Sequence, residues 1–573
     1  MFFRRVSVIV MSGCLMLAAH VVKAADAPLS IFPSDTSIVV KLSSPKKVIK
    51  NLADAVNLVQ PGFGGMVEGQ ATSIGVGISN PTLQGVDMEK NWWMAVFMIE
   101  DSEPQVVFAI PATDVDDMED AIDESFTFVK KDNWGIYSED EDAVKRIQSV
   151  ISGSGKSIEA ALSGKLLSNF DAGDLSIYVN TPTLVALYSE QLDQAVEEAK
   201  GEIANMEKED NPALASVDLG FLKENLPKLF DKGVEALKDN VGMVLTLNAN
   251  TKGLQINKVL VQKPSSDSAK FLSGITSANI DPLLVSLPAN QPVYLASSVD
   301  FTKAAVHIYD LMGTATTDEE IKTAIANMKS ALTGTTSKGF SAAVGLGSME
   351  EGVLRTYGVQ LVTPATKMKG VVKDAQKLAG MFNGGELQQE MTYEENKEKV
   401  SGKSVDIMTV TQSFENPQMS QMTEQITKIM YGPEGITTRM MYLDEGILQS
   451  MGGGTAGMEE TYRAFTAKEN LKSGSALARD RAALQSKLVF VELLDFVSIA
   501  AKGAVIAAES GQVPLPISPE QIESIEIQPS YVGVSLAIED NAIEGRLNIP
   551  IEQIQNGMKF GMSIMQMMQQ EAN

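Results

Sequence analysis

The sequence is nearly without the residues on which most catalytic and metal centres depend. Its 573 residues include one cysteine, Cys14, and two histidines, His20 and His307. An intrachain disulfide needs two cysteines, and a Ser-His-Asp triad or a zinc site needs histidine brought together with specific partners. The Gly-x-Ser-x-Gly element that presents a nucleophilic serine in many hydrolases is also absent. We therefore predict no catalytic residues, no metal site and no cofactor.

Positive charge is scarce as well. The chain has 47 Lys and Arg residues against 73 Asp and Glu residues, which gives a formal net charge of −26. Phosphate backbones and anionic lipid surfaces are bound mainly through clustered basic residues. The charge balance therefore argues against a nucleic-acid partner and against binding to an anionic membrane surface.

Residues 1–24 have the pattern of a secretory signal peptide. Arg4 and Arg5 precede an apolar run over residues 6–19, and the small residues Val22 and Ala24 stand at a suitable cleavage site. We predict cleavage after Ala24, which removes three basic residues and changes the formal net charge from −26 to −29. The mature protein is then exported, and its location is periplasmic or extracellular.

Two other membrane interpretations are weaker. The segment Met11–Cys14 resembles part of a lipoprotein signal, but Leu15–Leu17 continues the apolar run where a lipidated end would become polar. The most apolar later stretch, Leu488–Ala508, contains three charges, and each is costly at a bilayer centre. We predict a strand and a helix there, and no transmembrane segment in the mature chain.

Two stretches of the sequence repeat one pattern. Phe32–Lys47 and Leu287–Phe301 each have an apolar residue, a proline, a turn residue, a short strand and the start of a helix. A β-α-β-β order follows both, and recurs twice more with first strands at Leu175–Val179 and Lys487–Leu493. The sequence predicts an α+β fold of tandem ferredoxin-like β-α-β-β-α units, with antiparallel sheets and packed helices. The predicted units are residues 25–152, 153–282, 283–470 with an insertion near 393–467, and 471–573.

The turns that open these units carry a resemblance. The segments Phe32–Asp35 and Leu287–Asn290 are short turns like Leu-Pro-x-Asp, and Leu83–Asp87, which has no proline, is a third segment on which the likeness rests. With the element order, they make the chain similar to an uncharacterised family of exported bacterial proteins with repeated β-α-β-β units opening with a Leu-Pro-x-Asp-like turn. The resemblance implies a fold and an exported location, and it brings no catalytic residues.

Methionine is abundant, with 29 residues concentrated near positions 419–458 and 558–568. Thioethers bind copper(I), methionine fills irregular gaps in cores, and methionine surfaces adapt to varied partners. Helical spacing favours gap filling, and a Met-rich groove for an apolar ligand or a partner helix is the functional interpretation.

Calcium binding at the acidic runs 114–124 and 139–142 is a further alternative, although acidic residues are also favoured at the starts of helices.

The C-terminal helix predicted over residues 551–568 has two apolar faces. A first stripe, predicted to face the core, contains Ile551, Ile554, Met558, Met562 and Met565. The opposite side contains Phe560, Ile564 and Met567. We predict that these three residues are a binding surface for another unit, an apolar ligand or a second chain.

The function predicted from these patterns is that of an exported, non-enzymatic binding or scaffold protein for an unknown protein or an apolar ligand. The alternative is an envelope hydrolase that uses carboxylates without histidine. A cleft containing acids with separated pKa values would favour the alternative.

Overall fold

The structure, a computed structural model, describes residues 28–573 except 71–72, 206–218, 276, 316–318, 379–386, 415, 511–516 and 572–573. The predicted signal peptide, with Val22 and Ala24, lies outside the described residues. The chain divides into two compact units. Unit 1 takes its residues from Met1–Glu197, Phe230–Gly274 and Ile538–Gln555, and unit 2 takes its residues from Glu198–Leu229, Ile275–Ala537 and Asn556–Asn573. The boundaries of the four smaller units stay predictions.

The predicted first strand Leu175–Val179 is confirmed as β6, and the predicted Lys487–Leu493 overlaps β16 but begins three residues before it. In chain order, the strands of the described residues are β1 (Ile38–Leu42), β2 (Trp92–Phe97), β3 (Gln105–Pro111), β4 (Thr127–Lys131), β5 (Trp134–Ser138), β6 (Leu175–Val179), β7 (Asn240–Asn250), β8 (Gly253–Gln262), β9 (Val293–Ser297), β10 (Thr336–Leu346), β11 (Leu354–Thr363), β12 (Leu387–Val400), β13 (Lys403–Phe414), β14 (Ile436–Leu443), β15 (Gly446–Met451), β16 (Phe490–Leu494), β17 (Val532–Glu539) and β18 (Ala542–Pro550).

Helices connect most of these strands. Those of the described residues are α1 (Pro45–Val59), α2 (Gly64–Gly69), α3 (Ser73–Gly77), α4 (Val115–Ala121), α5 (Glu141–Ile151), α6 (Gly164–Ala172), α7 (Thr181–Leu187), α8 (Ser189–Asn205), α9 (Leu219–Lys238), α10 (Asp267–Ser273), α11 (Asp281–Leu284), α12 (Phe301–Ala315), α13 (Glu319–Leu332), α14 (Met368–Leu378), α15 (Pro417–Tyr431), α16 (Gly454–Ala467), α17 (Ala476–Ala482), α18 (Phe496–Ser510), α19 (Pro519–Glu523) and α20 (Ile551–Glu571). Short 3-10 turns occur at Pro28–Ser30, Ile158–Ala160 and Ala365–Lys367.

The strands of unit 1 form an antiparallel sheet with β1 near its middle. Their order is β4-β5-β3-β2-β1-β6-β7-β8-β18. Strand β1 pairs with β2 on one side and with β6 on the other. One run of strands therefore extends from β2 to the edge at β4, and the other extends from β6 to the edge at β18. Consecutive strands joined by short turns then pair along each run.

Unit 2 has a comparable succession of antiparallel pairs. Their order is β12-β13-β14-β15-β11-β10-β9-β16-β17, with β9 between β10 and β16. Strands β12 and β13 belong to the stretch predicted as an insertion, and they extend the sheet beyond β14.

The predicted α+β class with antiparallel strands and packed helices is confirmed, but the ferredoxin-like arrangement is not. A split β-α-β unit places another strand between the two strands that flank the helix. Here β1 pairs directly with β2, and β9 pairs directly with β10. The order of elements along the chain does not reveal this difference, because both arrangements use the same succession of strands and helices.

Both faces of the unit 1 sheet are covered, as the unbroken apolar run of β2 predicts. Successive side chains of a strand point to opposite faces. Trp93 is 2% exposed and packs in a cluster with Phe32 and Phe170, whereas Trp92 is 3% exposed and packs in another cluster with Ile110. Helices α5 and α6 supply part of the first cluster, and helix α4 supplies part of the second.

None of the helices in the described part of the chain has the length and the hydrophobicity that crossing a bilayer requires. The apolar stretch Leu488–Ala508 forms β16 and most of α18. This outcome agrees with the prediction of a strand followed by a helix.

Candidate functional site

Unit 1 contains an apolar cavity of about 610 Å³ between the helices that follow β6 and the strands β6 to β8. A volume of this size lies in the range of small-molecule binding sites, about 300–1,000 Å³. Its lining residues are Val179, Thr181, Leu184, Val185, Tyr188, Leu192, Gly233, Ala236, Leu237, Asn240, Met243, Lys258, Leu260 and Gln262. Seven of the fourteen are valine, leucine or alanine, and one is methionine, so this cavity is not Met-rich, and the Met-rich groove stays a prediction.

The floor of the cavity is a row of cross-strand neighbours. Val179 of β6 is opposite Met243 of β7, and Met243 is opposite Leu260 of β8. The residues next to them in sequence, such as Val244 and Val259, are buried in the core cluster on the other side of the sheet. Because side chains alternate along a strand, this row forms an apolar surface on the face away from that core.

One wall comes from the chain that leaves β6. Asn180 follows the last residue of β6 and is the N-cap of helix α7, and Thr181-Pro182 opens the helix, as is common for proline in a first helical turn. Leu184, Tyr188 and Leu192 are spaced four residues apart and lie in the lining. Residues at this spacing share one side of a helical segment, so α7 and the start of α8 present an apolar stripe to the floor.

Two amides stand at one end of this apolar lining. Gln262 of β8 is two residues after Leu260 and points to the same face of the sheet. Asn240 is three residues before Met243 and would point to the opposite face in a regular strand. The register of β7 shifts between Asn240 and Gly242, and the extra residue turns Asn240 to the cavity side. The bulge therefore brings Asn240 opposite Gln262.

These amides are buried, and part of their hydrogen-bonding capacity is unused within the described structure. Asn240 is 2% exposed and Gln262 is 6% exposed. The side-chain Oδ1 and Nδ2 of Asn240 and the Oε1 of Gln262 have no hydrogen-bond partner among the described residues. A buried polar group left without a partner costs about 1–3 kcal/mol. An apolar cavity with such groups at one end is the usual composition of a small-molecule site.

Gly242 in the bulge is required by a close contact. A Cβ atom built on Gly242 would lie 2.7 Å from Cε2 of Tyr178, and Tyr178 is fully buried. We expect Gly242→Ala to lower the free energy of unfolding by about 1–3 kcal/mol, because the core has no room for the added methyl group. Urea denaturation measures this value. The control is Gly358→Ala in β11, where the nearest atom would be an ordinary 3.4 Å away; an equal loss in both variants would contradict the contact.

The residues predicted as a binding surface lie elsewhere. Phe560, Ile564 and Met567 of α20 are partly buried against Val505 of α18 and against Ile517 and Ile522. Their partners therefore belong to the same predicted unit, residues 471–573, and none of the three lies in the lining of the unit 1 cavity.

The prediction that the other stripe of α20 faces the core holds at Ile551, which is 8% exposed, and is wrong farther along the helix. Met562 is 53% exposed and Met565 is 59% exposed. The rotation of the helix is fixed by Asn556, whose Nδ2 donates to the Gln528 carbonyl at 2.6 Å and to Ser530 Oγ at 3.4 Å. Asn556 lies four residues before Phe560, so the side of the helix that carries both is turned inward.

Metal sites find little support in the described residues. They contain no group of three or more His, Cys, Asp or Glu side chains that could hold an ion. In the acidic runs considered for calcium, Asp114 and Asp140 accept hydrogen bonds from the first backbone N–H groups of helices α4 and α5. They act as helix caps there. Of the methionines considered for copper, Met440, Met441 and Met458 are buried in the core of unit 2.

A second cavity, of about 470 Å³, lies in unit 2 beside α18. Its buried acid is Asp495, whose carboxylate accepts from Ser498 Oγ at 2.6 Å and from the Ser498 and Ser530 backbone N–H groups. These bonds cap the start of α18 and hold the loop before β17. The carboxylate is thus engaged in the fold, and none of the described residues that line this cavity has a buried side-chain polar atom without a hydrogen-bond partner.

Comparison of the chain with models of protein families, with curated proteins and with solved structures found no match. The chemistry of the site therefore follows from its own residues. Sequence reasoning did not find Asn240 and Gln262, because two amides at the ends of strands are ordinary in sequence. The bulge that aims Asn240 into the cavity has no sequence signature beyond the Gly242 next to it.

Proposed function

We propose that unit 1 binds a single-chain amphiphile in the apolar cavity between α7, α8, α9 and the floor of β6 to β8. The observation that carries the proposal is the pair of buried amides, Asn240 and Gln262, with unpaired atoms at one end of an aliphatic lining. A ligand head group that bonds to them removes the cost of burying them unpaired.

The unpaired atoms define the head group. Asn240 offers one acceptor and an N–H donor group, and Gln262 offers an acceptor. A matching head group must donate and accept, as a primary amide or an alcohol does. The apolar chain of the ligand then lies along Leu184, Leu192 and Leu260 and gains from leaving water. Such binding needs no catalytic group, which fits a carrier or scaffold.

The wider setting of this function is proposed from the sequence. Export to the periplasm or the extracellular space follows from the predicted signal peptide, and a protein that holds an amphiphile has a use in that aqueous compartment. Membership of the exported family with β-α-β-β repeats fits the same picture. We also propose an internal duplication into four units; what supports it is that β1, β6, β9 and β16 each begin a β-α-β-β succession, with β1 paired to β6 and β9 paired to β16.

The alternative of a carboxylate hydrolase has less support in this geometry. No Asp or Glu is among the described residues that line the unit 1 cavity. Hydrolysis by paired carboxylates requires two acids within about 5–10 Å of each other around the substrate. The cavity therefore offers a place for binding without the groups for this reaction.

The test is the binding of decanamide to the wild type and to Asn240→Leu. We expect one decanamide to bind per wild-type chain, and we expect Asn240→Leu to weaken it about tenfold, since one lost hydrogen bond to a buried partner is worth about 1–2 kcal/mol. The free energy of unfolding of Asn240→Leu should equal or exceed that of the wild type, because the leucine has no polar group to bury. Isothermal titration calorimetry and urea denaturation give the two quantities.

A ligand without a donor serves as the matched control. Decyl methyl ether has a similar chain but only an ether acceptor, so it should bind the wild type more weakly and respond less to Asn240→Leu. If both ligands lose the same factor, Asn240 does not contact the head group. If decanamide does not bind the wild type, the proposed ligand class is wrong.

A further inference from the structure

Helix α15 has its apolar side turned to solvent. Its exposed side chains include Met419 at 38%, Met422 at 55%, Ile426 at 52% and Ile429 at 37% exposure. None of its residues is buried. An amphipathic helix on a protein surface normally has the reverse arrangement, with its apolar stripe against the core. This stripe, Met419, Met422, Ile426 and Ile429, is called the α15 seam below.

The orientation of α15 is fixed by polar contacts on its other side. Ser420 Oγ accepts from the Phe414 N–H at 2.6 Å and donates to the Phe414 carbonyl at 2.8 Å. At the other end, the Ile429 carbonyl accepts from the Val353 N–H at 2.9 Å. Asn416 caps the first turn through its side chain. With both ends held, the helix presents the seam outward as a defined surface.

The seam has the spacing of a helix-to-helix contact. Its four residues are separated by three, four and three positions, which is the repeat of core positions in coiled coils. The positions that flank a core of this kind are Gln418, Thr423, Gln425 and Met430, and all are uncharged. The two charges of the helix, Glu424 and Lys428, pair with each other at 2.6 Å. The helix is therefore electrically neutral.

We propose that the α15 seam is a self-association surface, on which two copies of this chain pack their α15 helices against each other across a two-fold axis. A two-fold contact is self-complementary, so every residue beside the axis meets its own copy. In a chain with a formal net charge of −26, most surfaces would oppose such a contact by like-charge repulsion. The neutral edges of the seam remove that obstacle.

The same features argue against a lipid surface as the occupant. Helices that lie on membranes carry lysine and arginine beside their apolar stripe to attract anionic headgroups. The one basic residue of α15, Lys428, is paired with Glu424.

The seam covers about 15 Å of helix, which is short for a standard interface, so we expect a dimer with a dissociation constant on the order of 10 µM.

Sedimentation velocity between about 1 and 300 µM tests the proposal directly, over a range that brackets the expected constant. The wild type should shift from monomer to dimer. We expect the double variant Met422→Gln, Ile426→Gln to self-associate at least tenfold more weakly, and Gln425→Glu to do the same because it places like charges beside each other. Since the substituted residues are exposed, the variants should unfold at the wild-type temperature. The matched control is Ile308→Gln, which changes an isoleucine that is 53% exposed on α12 and should dimerise as the wild type does.

Three outcomes would overturn the proposal. The first is a wild type that stays monomeric at the highest concentration. The second is a double variant that dimerises as strongly as the wild type, which would assign association to another surface. The third is flotation of the wild type with phosphatidylcholine vesicles that the double variant loses, with no dimer formed; this result would assign the seam to lipid.

Discussion

Replacing Asp406 by alanine is expected to lower the free energy of unfolding by about 3–5 kcal/mol, as removal of one partner of a buried ion pair does. The Asp406 side chain of β13 is 1% exposed and pairs with Lys369 at 2.9 Å. It also accepts hydrogen bonds from the Tyr393 hydroxyl and from the Asn396 N–H at 2.8 Å. Alanine would leave a hydroxyl, an amide and an ammonium group without their acceptor.

The pH dependence of the same site has a defined sign. Burial alone would raise the pKa of Asp406, but the bonds from Tyr393 and Asn396 together with Lys369 hold it below its ordinary value. The carboxylate therefore stabilises the fold at pH values above about 4, and this contribution is lost as the pH falls through the lowered pKa. The difference between the wild type and Asp406→Ala should shrink accordingly in acid.

Urea denaturation at pH 7 measures the loss, with Asp267→Ala as the control. Asp267 pairs with Lys270 at 2.8 Å, but its side chain is 80% exposed. Exposed pairs are worth about 0–1 kcal/mol, so the control variant should stay close to the wild type. Equal losses in the two variants would show that the burial of Asp406 does not set its contribution.

Lys41 is expected to make the stability of unit 1 rise with pH by about 3 kcal/mol between pH 8 and 10.5. The residue follows Val39 by two positions on β1, so its side chain enters the core. Its Nζ donates to the carbonyls of Phe170 at 2.7 Å and Asp171 at 3.0 Å, at the C-terminal end of helix α6. Burial lowers the pKa of Lys41 to about 8, although Asp171 and Asp174 act in the opposite direction.

The direction follows from proton binding. Between pH 8 and 10.5 the unfolded chain still binds the lysine proton and the folded chain does not, so the unfolding free energy rises with pH. Below pH 8 both states are protonated, and the folded state bears the full cost of a buried charge. Burial raises the pKa values of Tyr137 and Tyr178, so near pH 10 these tyrosines lose protons in the unfolded chain first and lower the stability. The wild type alone therefore does not isolate Lys41.

Comparison with Lys41→Met separates the two contributions. The free energy of unfolding of the wild type minus that of the variant should rise by about 3 kcal/mol from pH 8 to 10.5, because the methionine does not titrate. Urea denaturation at several pH values gives the difference. A difference that stays constant with pH would mean that the lysine keeps its ordinary pKa in the folded protein.

The sequence predicted the elements of this protein better than it predicted their partners. Strand positions such as β6 and the covering of both faces at Trp92 and Trp93 follow from local alternation and from apolar runs. Which strands pair with β1 does not follow from local sequence, because the pairing of a strand depends on contacts between residues distant in the chain. The ferredoxin-like arrangement was predicted from the succession of elements along the chain. The pairing of β1 with β2 did not confirm it.

Helix faces show the same limit. Periodicity reveals that α20 has two apolar sides, but buried hydrogen bonds from Asn556 decide which side packs. In α15 the bonds of Ser420 hold the polar side inward and leave the apolar α15 seam outside. Apolar spacing alone predicts the reverse of the observed orientation for both helices. The spacing reflects only the burial of apolar side chains, whereas the directional hydrogen bonds of polar side chains also determine which side packs inward.

The candidate site depended most on a detail that sequence does not carry. Tyr188, Leu192 and Leu260 are ordinary apolar residues of helices and strands, and they become a cavity lining only through the packing of α7 and α8 over the sheet. Asn240 reaches that cavity because one extra residue in β7 reverses its direction. Binding of an apolar ligand, the class of function predicted from the sequence, stays a prediction. Its proposed site is now the unit 1 cavity instead of a Met-rich groove.

Native mass spectrometry of the protein purified from the organism that makes it tests the central claim most directly. The wild type should carry one small amphiphile per chain, and Leu192→Trp should lose it because the indole fills the cavity. Phe271→Trp is the matched control, since Phe271 of unit 1 is 71% exposed and lies outside the lining; this variant should keep the ligand. A wild type measured at the mass of the bare chain, or a Leu192→Trp variant that retains the same ligand, would contradict amphiphile binding in this cavity.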